Sequence, residues 1–225
     1  MDRLYSPRLT KTLKSILVVC LLFACQAFSL TTNSATAGAK ELKSNPQYWP
    51  PRLHNYYPDL ELLDQDGKKI RLSSFRGKVI IVEPIGMSCP ACQAFSGANR
   101  TGSRPYGNSR PQPGLPAFSE LISQQAGVSL SDSRIVFVQL IIYNSSMQAP
   151  SLAEVQAWAR NFGLSTRNNA YVLVGQKNMV SKYSYNLIPG FQLIDKDFVL
   201  RSDSTGHNPK NDLYQHFFPM LKRVL

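Results

Sequence analysis

Cysteine, histidine and acidic residues are scarce in this sequence, and no hydrophobic run is long. The 225 residues include four cysteines and three histidines. The most apolar stretch, Ser15 to Phe28, falls short of the about 20 residues that a membrane-spanning helix needs. With so few ligand side chains, and with no second C-x-x-C pair, a structural zinc site is disfavoured.

Basic residues outnumber acidic ones by 25 to 14, but the net charge of +11 does not indicate a nucleic-acid-binding protein. Residues 1–37 contribute +3 of this charge, which leaves +8 for the rest of the chain. The other basic residues are scattered along the sequence, and no nucleic-acid-binding motif is present. We therefore expect a solvated surface or a mildly acidic partner, and no nucleic acid.

The N-terminal segment, residues 1–37, has the layout of a secretory signal peptide. Basic residues precede the apolar run, and Ala35-Thr36-Ala37 follows it as an A-x-A cleavage site. Two other fates stay open, a lipoprotein signal ending at Cys25 and an uncleaved membrane anchor. We expect a periplasmic or otherwise exported protein, with lipidation or membrane anchoring as the alternatives.

The rest of the chain predicts one α/β domain. Residues 38–58 contain four prolines and predict an extended lead-in, so the domain spans residues 59–225. The order of apolar patterns predicts a central sheet flanked by helices. The predicted elements are a hairpin (Leu60–Leu63 and Lys69–Leu72), a strand (Val79–Val82), a helix from Cys89 to Phe95, a helix (Ala117–Ala126), a strand (Ile135–Tyr143), a helix capped by Ser151 and Glu154 and ended by Gly163, a strand (Tyr171–Val174), a hairpin (Phe191–Asp195 and Phe198–Arg201), and a helix capped by Asn211 and kinked at Pro219.

A long segment between the first two predicted helices, residues 97–116, predicts an exposed basic loop. It contains four glycines, four prolines and three arginines, Arg100, Arg104 and Arg110, without an acid. Because the loop follows the cysteine pair, selection of partner proteins is one hypothesis for it. An ordinary solvated loop is the other.

The motif Cys89-Pro90-Ala91-Cys92 carries the chemistry. A cysteine at a helix N-terminus faces unpaired backbone N–H groups and the positive end of the helix dipole, which favour the thiolate. Cys89 is therefore the predicted nucleophile, and Cys92, one turn further on, is the predicted resolving thiol. Pro90 suits the first helical turn because it has no N–H to leave unpaired. A disulfide closing so short a loop would stabilise the fold little.

At these residues the sequence resembles the thioredoxin superfamily, and more closely its exported TlpA/ResA-like or AhpC/TSA-like (redoxin) branch. The resemblance covers about residues 58–225. It implies a thioredoxin-like fold with a central mixed sheet, an N-terminal hairpin and an inserted loop after the C-x-x-C pair. It also implies a thiol-disulfide oxidoreductase that acts on protein thiols or disulfides and needs no cofactor beyond its own redox-active Cys89–Cys92 disulfide. The direction of electron flow stays open.

The resemblance also assigns residues around the cysteines. Glu83 lies six residues before Cys89, where thioredoxins place a buried acid that takes the proton of the resolving thiol. Ile188 and Pro189 match the family's cis-proline segment, which lines the substrate groove together with Pro90. In place of the tryptophan that thioredoxins carry before the first cysteine, this chain has Ser88.

Other functions remain as alternatives. Copper delivery resembling the Sco proteins would use Cys89, Cys92 and His207 as soft and imidazole ligands, although Sco proteins carry C-x-x-x-C. Zinc binding would need further ligands from the three histidines, which lack ligand spacing. A peroxiredoxin motif starting at Pro84 fails because Ala91 stands where its cysteine would be.

Overall fold

The structure is a computed structural model that describes residues 49–225. The predicted signal segment, residues 1–37 with Cys25, lies outside the described residues, as does the first part of the predicted lead-in. Within residues 49–225, no helix has both the length and the apolar character that a bilayer crossing requires.

The fold consists of a two-stranded hairpin, a five-stranded sheet and five short α-helices in the described part of the chain. The strands are β1 (Glu61–Leu63), β2 (Lys69–Arg71), β3 (Val79–Gly86), β4 (Ile135–Tyr143), β5 (Ala170–Val174), β6 (Gly190–Ile194) and β7 (Leu200–Thr205). The helices are α1 (Pro90–Phe95), α2 (Phe118–Ala126), α3 (Leu152–Phe162), α4 (Lys182–Tyr185) and α5 (Phe218–Val224).

The main sheet is mixed, in the order β5-β4-β3-β6-β7. Strands β3, β4 and β5 are parallel, whereas β6 is antiparallel to both β3 and β7. All residues of β3 and β4 are buried, as expected for central strands covered on both faces. This is the predicted α/β fold with a central mixed sheet, and the N-terminal hairpin pairs β1 with β2 as predicted.

Alternate residues of the sheet point into two hydrophobic cores, because side chains of a strand alternate between its faces. Ile80 and Val82 pack in one core with Trp158 of α3 and with Cys92. Val79 and Ile81 pack in the other core with side chains of α2 and α5. The sheet is therefore a rigid layer between two packed faces, and α1 begins at its edge directly after β3.

Strand β3 is longer than the apolar run Val79–Val82 predicts, since it continues to Gly86. Glu83 and Pro84 lie inside it, both buried. The predicted strand end was therefore wrong. The parallel pairing with β4 continues past Glu83, which pairs with Gln139, and this pairing holds the polar residues in the strand.

The last helix also differs from its prediction. Asp212, not Asn211, is the N-cap, because its side chain accepts hydrogen bonds from the backbone N–H groups of Tyr214 and Gln215. Asn211 is bound elsewhere, since its Oδ1 accepts from the backbone N–H of Asp203 in β7. One π-helical segment, Leu213–Phe217, then leads into α5, so that Pro219 falls in the first turn of α5.

Residues 49–58 pack against the domain. The indole N–H of Trp49 donates to Ser184 Oγ at 2.7 Å. Tyr57 is 3% exposed, and its hydroxyl donates to Gln192 Oε1 at 2.7 Å. This part of the predicted lead-in therefore contributes to the core.

Candidate dithiol active site

Cys89 is the N-cap residue of α1, and Met87 and Ser88 separate it from the end of β3. Its backbone is extended, and its sulfur accepts a hydrogen bond from the backbone N–H of Cys92 at 3.2 Å. Pro90 occupies the first helical turn, as predicted. Cys89 is half-buried and Cys92 is fully buried, and both are free thiols. One thiol is therefore partly accessible to solvent, and the other is enclosed in the core.

The two thiols have opposite acidities. The pKa of Cys89 is lowered to about 7, first by a hydrogen bond from the Cys92 side chain and then by the backbone N–H groups of Cys92 and Ala91, against the effect of burial. The pKa of Cys92 is raised well above its usual value, first by burial and then by its interactions with Cys89 and Glu83. The backbone effect was expected from the sequence, whereas the larger contribution of the Cys92 side chain was not.

A cavity of about 400 Å³ opens beside Cys89. The structure brings five of the candidate residues to it, namely Cys89, Pro90, Ile188, Pro189 and His207. Its lining contains no lysine, arginine or carboxylate. The sequence analysis assigned no site role to the remaining lining residues, which are Gly86, Ser88, Ala91, Gln112, Tyr143, Met147 and Tyr185.

The Ile188–Pro189 segment forms one wall of this cavity, and its peptide bond is cis. The carbonyl of Pro189 accepts a hydrogen bond from the backbone N–H of Gly206 at 2.7 Å. Gly190 follows at φ +143°, and a Cβ there would lie 2.2 Å from the carbonyl oxygen of Ser204. Only glycine permits this close approach of β6 to β7, which holds the wall in place.

Glu83 lies in β3 beneath the cysteines and is completely buried. Its Oε2 accepts a hydrogen bond from Gln139 Nε2 at 2.8 Å, whereas Oε1 has no partner among the described residues. Burial raises the pKa of Glu83 well above its usual value, the bond from Gln139 lowers it, and the charge of Cys89 raises it. Such a carboxyl is a group that can exchange a proton with a buried neighbour.

Gln139 is a site residue that the sequence analysis missed. It is buried in β4 and also bonds to Ser96 Oγ and to the indole N–H of Trp158, each at 2.8 Å. The available signal was its position as the one polar side chain in the strand Ile135–Tyr143, where a buried amide must find partners.

Met147 projects over the site from the loop that follows β4. Its sulfur accepts a hydrogen bond from Ser88 Oγ at 3.7 Å, and the residue is 43% exposed at φ +61°. Two bonds to Asn144 Oδ1, from the N–H groups of Ser146 and Gln148, hold the loop. An exposed methionine at a positive φ beside a cysteine-lined cavity is typical of a contact surface.

The inserted loop, residues 97–116, is exposed over most of its length but is attached to α1 at several points. The backbone N–H of Gln112 donates to the carbonyl of Pro90 at 2.9 Å. Gln93 bonds to both backbone polar groups of Tyr106, at 2.8 and 3.2 Å. Residues 109–112 therefore pass directly over the start of α1.

The candidate copper ligands do not form a complete set. His207 lines the cavity beside Cys89, but Cys92 lies below it in the core. Within residues 49–225, no three histidine, cysteine, aspartate or glutamate side chains are grouped so as to hold a metal ion.

The sheet order, the start of α1 after β3 and the proline segment opposite it define a thioredoxin-like fold. Solved structures with this fold include a candidate electron transfer protein from Aquifex aeolicus VF5, at a TM-score of 0.50 and 14% identity over 77% of this chain and 97% of that one. A candidate protein disulfide isomerase from Bacteroides thetaiotaomicron follows, at 0.49 and 16% over 77% and 90%. The thioredoxin domain of a thiol-disulfide oxidoreductase from Bacteroides vulgatus has values of 0.47 and 13% over 78% and 99%.

The likeness to the Aquifex aeolicus protein concerns the fold alone. No protein-family model matches the sequence, and neither does any curated protein.

Proposed function

We propose that this protein is a thiol-disulfide oxidoreductase that exchanges disulfides with partner proteins through Cys89 and Cys92. The observation that carries the proposal is the pairing of a half-exposed thiol of pKa about 7 with a buried thiol of raised pKa one turn away. A thiolate at neutral pH is the attacking species in disulfide exchange, and a sheltered second thiol is the resolving species.

The reaction takes two steps. The Cys89 thiolate attacks one sulfur of a partner disulfide, which forms a mixed disulfide and releases the other partner sulfur as a thiolate. Cys92 then loses its proton to Glu83 and attacks Cys89, which forms the Cys89–Cys92 disulfide and releases the second partner thiolate. Two electrons pass from the dithiol to the partner, and the reverse sequence oxidises a partner dithiol.

A polypeptide segment is the proposed substrate. The cavity beside Cys89 is large enough for apolar side chains, and it presents Met147, Tyr185 and Pro189 around the thiol. These side chains suit a partner cysteine that is flanked by apolar residues. The exported location predicted from residues 1–37 is part of the proposal, because the chemistry fits a compartment in which protein disulfides form.

The proposal is tested by trapping partners with Cys92→Ser. We expect this variant to accumulate covalent adducts in an oxidising compartment, seen as bands on non-reducing gels that disappear with dithiothreitol, since the resolving thiol is absent. The matched control is Cys89→Ser/Cys92→Ser, which should form none.

Absence of reductant-sensitive adducts in Cys92→Ser would contradict the exchange mechanism. Retention of one equivalent of copper by the purified wild-type protein, lost in Cys89→Ser, would favour the Sco-like alternative instead.

A further inference from the structure

Gln139 connects the buried acid to the helix α3. It lies directly beside Glu83 in the pairing of β3 with β4 and is 1% exposed. Its Nε2 donates to Glu83 Oε2 and to Ser96 Oγ, and its Oε1 accepts from Trp158 Nε1. Every hydrogen-bonding atom of the amide group therefore has a partner.

Trp158 determines which way this amide is turned. An indole nitrogen can only donate, so Gln139 has to present its oxygen to Trp158 and its NH₂ group to Glu83. The flipped amide would place two donors face to face and leave the buried Trp158 N–H unpaired, which costs about 1–3 kcal/mol. Trp158 in α3 thus fixes the orientation of the Gln139 amide through its oxygen, while the NH₂ group faces Glu83.

The orientation of the Gln139 amide decides whether its hydrogen bond raises or lowers the pKa of Glu83. An N–H group that donates to a carboxyl stabilises its ionised form, whereas a carbonyl oxygen in the same place would stabilise the protonated form. In the observed orientation the bond from Gln139 lowers the pKa of Glu83, against the larger effect of burial.

We propose that Gln139, held in one orientation by Trp158, is a positioning residue for the resolving step that keeps Glu83 able to accept the proton of Cys92. Because Oε2 already accepts the bond from Gln139, the proton goes to Oε1, the buried oxygen that has no partner in the described part of the chain. This inference rests on the proposed function and concerns only its second step.

The charges around Glu83 are few. Cys89 and Cys92, at the start of α1, are the titratable groups that interact with its carboxyl in the described part of the chain. The neighbours from β4 and α3 are the uncharged Gln139 and Trp158, and on β6 the residue paired with Val82 is the uncharged Gln192. A change at Gln139 therefore acts on Glu83 without adding or removing a charge.

The test uses 5,5′-dithiobis(2-nitrobenzoate) with the reduced protein. Attack by Cys89 releases the first thionitrobenzoate, and attack by Cys92 on the mixed disulfide releases the second. In Gln139→Met, which keeps the side-chain volume, we expect the apparent pKa of the second phase to rise by about one unit. Its rate at pH 7 should then fall about tenfold, while the first phase stays within about twofold.

Three comparisons separate this role from a structural one. Trp158→Phe, which frees the amide to turn, should shift the second phase in the same direction. In a Glu83→Gln background, Gln139→Met should cause no further change, because the group it acts through is gone. Gln192→Met, a change at another buried glutamine of the sheet, should leave the pH profile of the second phase unchanged.

An unchanged second-phase profile in both Gln139→Met and Trp158→Phe would overturn the inference while leaving the proposed function intact. Equal slowing of both phases would also overturn it, since that indicates a general disturbance of α1. Failure of the wild-type protein to release any thionitrobenzoate would instead remove the proposed function itself. If Gln139→Met does not fold, the profile of Trp158→Phe decides.

Discussion

Cys89 and Cys92 are three residues apart in the sequence, yet their surroundings separate their roles. Cys89 stands at the cavity with a sulfur that accepts hydrogen bonds from Cys92, so its thiolate is stabilised. Cys92 is fully buried and gains no such stabilisation. In the proposed mechanism a partner therefore meets the Cys89 sulfur first, and the Cys92 sulfur reacts only after the mixed disulfide has formed.

Glu83 is an unfavourable residue for folding. One of its oxygens is buried and has no partner among residues 49–225, and burial raises its pKa. At neutral pH the unfolded chain has released this proton, because the ordinary pKa is 4.5. The folded protein binds more protons than the unfolded one, so Glu83 makes the folded state less stable as the pH rises.

Glu83→Gln should therefore stabilise the protein in a pH-dependent way. We expect its free energy of unfolding to match the wild type near pH 4 and to exceed it increasingly above pH 5. The gap should widen by at most about 1.4 kcal/mol per pH unit, the limit for one proton. Urea denaturation of the reduced protein at pH 4, 5 and 6 measures it.

The isosteric control for this measurement is Glu120→Gln, a change at a partly exposed carboxylate of α2 that pairs with Arg100. Its effect should stay within about 1 kcal/mol at all three pH values. A Glu83→Gln variant whose stability relative to wild type does not change between pH 4 and 6 would show that Glu83 ionises normally in the folded protein.

At the scale of elements, the inserted loop (residues 97–116) is held in place as a wall of the site. Its backbone bonds to Pro90 at Gln112, and Tyr106 packs against Trp158 with ring centroids 5.4 Å apart. Of its arginines, Arg100 pairs with Glu120, whereas the described residues provide no acidic partner for Arg104 and Arg110. The loop thus presents unneutralised positive charge next to the start of α1.

This placement predicts a preference for acidic partners. Two peptides with the same disulfide but acidic or basic flanking residues should react with Cys89 at different rates, with the acidic peptide about threefold to tenfold faster at low salt. The preference should shrink as the ionic strength rises, because salt screens exposed charges. Stopped-flow rates of mixed-disulfide formation measure it.

Arg104→Glu/Arg110→Glu should abolish or reverse the preference. The matched control is Lys222→Glu/Arg223→Glu, which makes the same charge change in the last turn of α5, outside the cavity lining. If both double variants alter the ratio equally, the preference comes from the net charge of the protein and not from the loop.

At the scale of the whole molecule, residues 49–58 are hydrogen-bonded to the β6–β7 region near the other end of the described chain. The backbone N–H of Tyr57 donates to the carbonyl of Phe198 at 2.9 Å, while the N–H of His54 donates to Leu200 at 2.8 Å. The segment thereby covers the side of the core formed by β6 and β7. The Ile188–Pro189 segment, which lines the cavity, directly precedes β6. Stability of the site and packing of this segment are linked.

The neighbouring tyrosines of this segment give a direct test. Tyr57→Ala should lower the free energy of unfolding by about 3–5 kcal/mol, because it removes a buried ring and leaves Gln192 without its hydroxyl partner. Tyr56→Ala, at a side chain that is 48% exposed, should change it by no more than about 0.5 kcal/mol. Equal effects of the two changes in chemical denaturation would show that the segment is not part of the folded core.

The sequence alone predicted the elements that depend on local patterns. The strongly apolar stretch Ile135–Tyr143 predicted the bounds of β4, and Ser151, Glu154 and Gly163 marked both ends of α3. The C-P-A-C motif placed α1 and its N-cap, because proline and a helix-capping residue act on their immediate neighbours. Each of these signals lies within one element, so no distant contact was needed to interpret it.

The tertiary structure decided what depends on residues far apart in the chain. Asp212 caps the last helix because β7 binds Asn211, and β3 extends through Glu83 because β4 pairs with it. The partners of Gln139 come from three other elements. Their distances are set by sheet register and helix packing, which arise only when the chain is folded, and so sequence spacing contains no record of them.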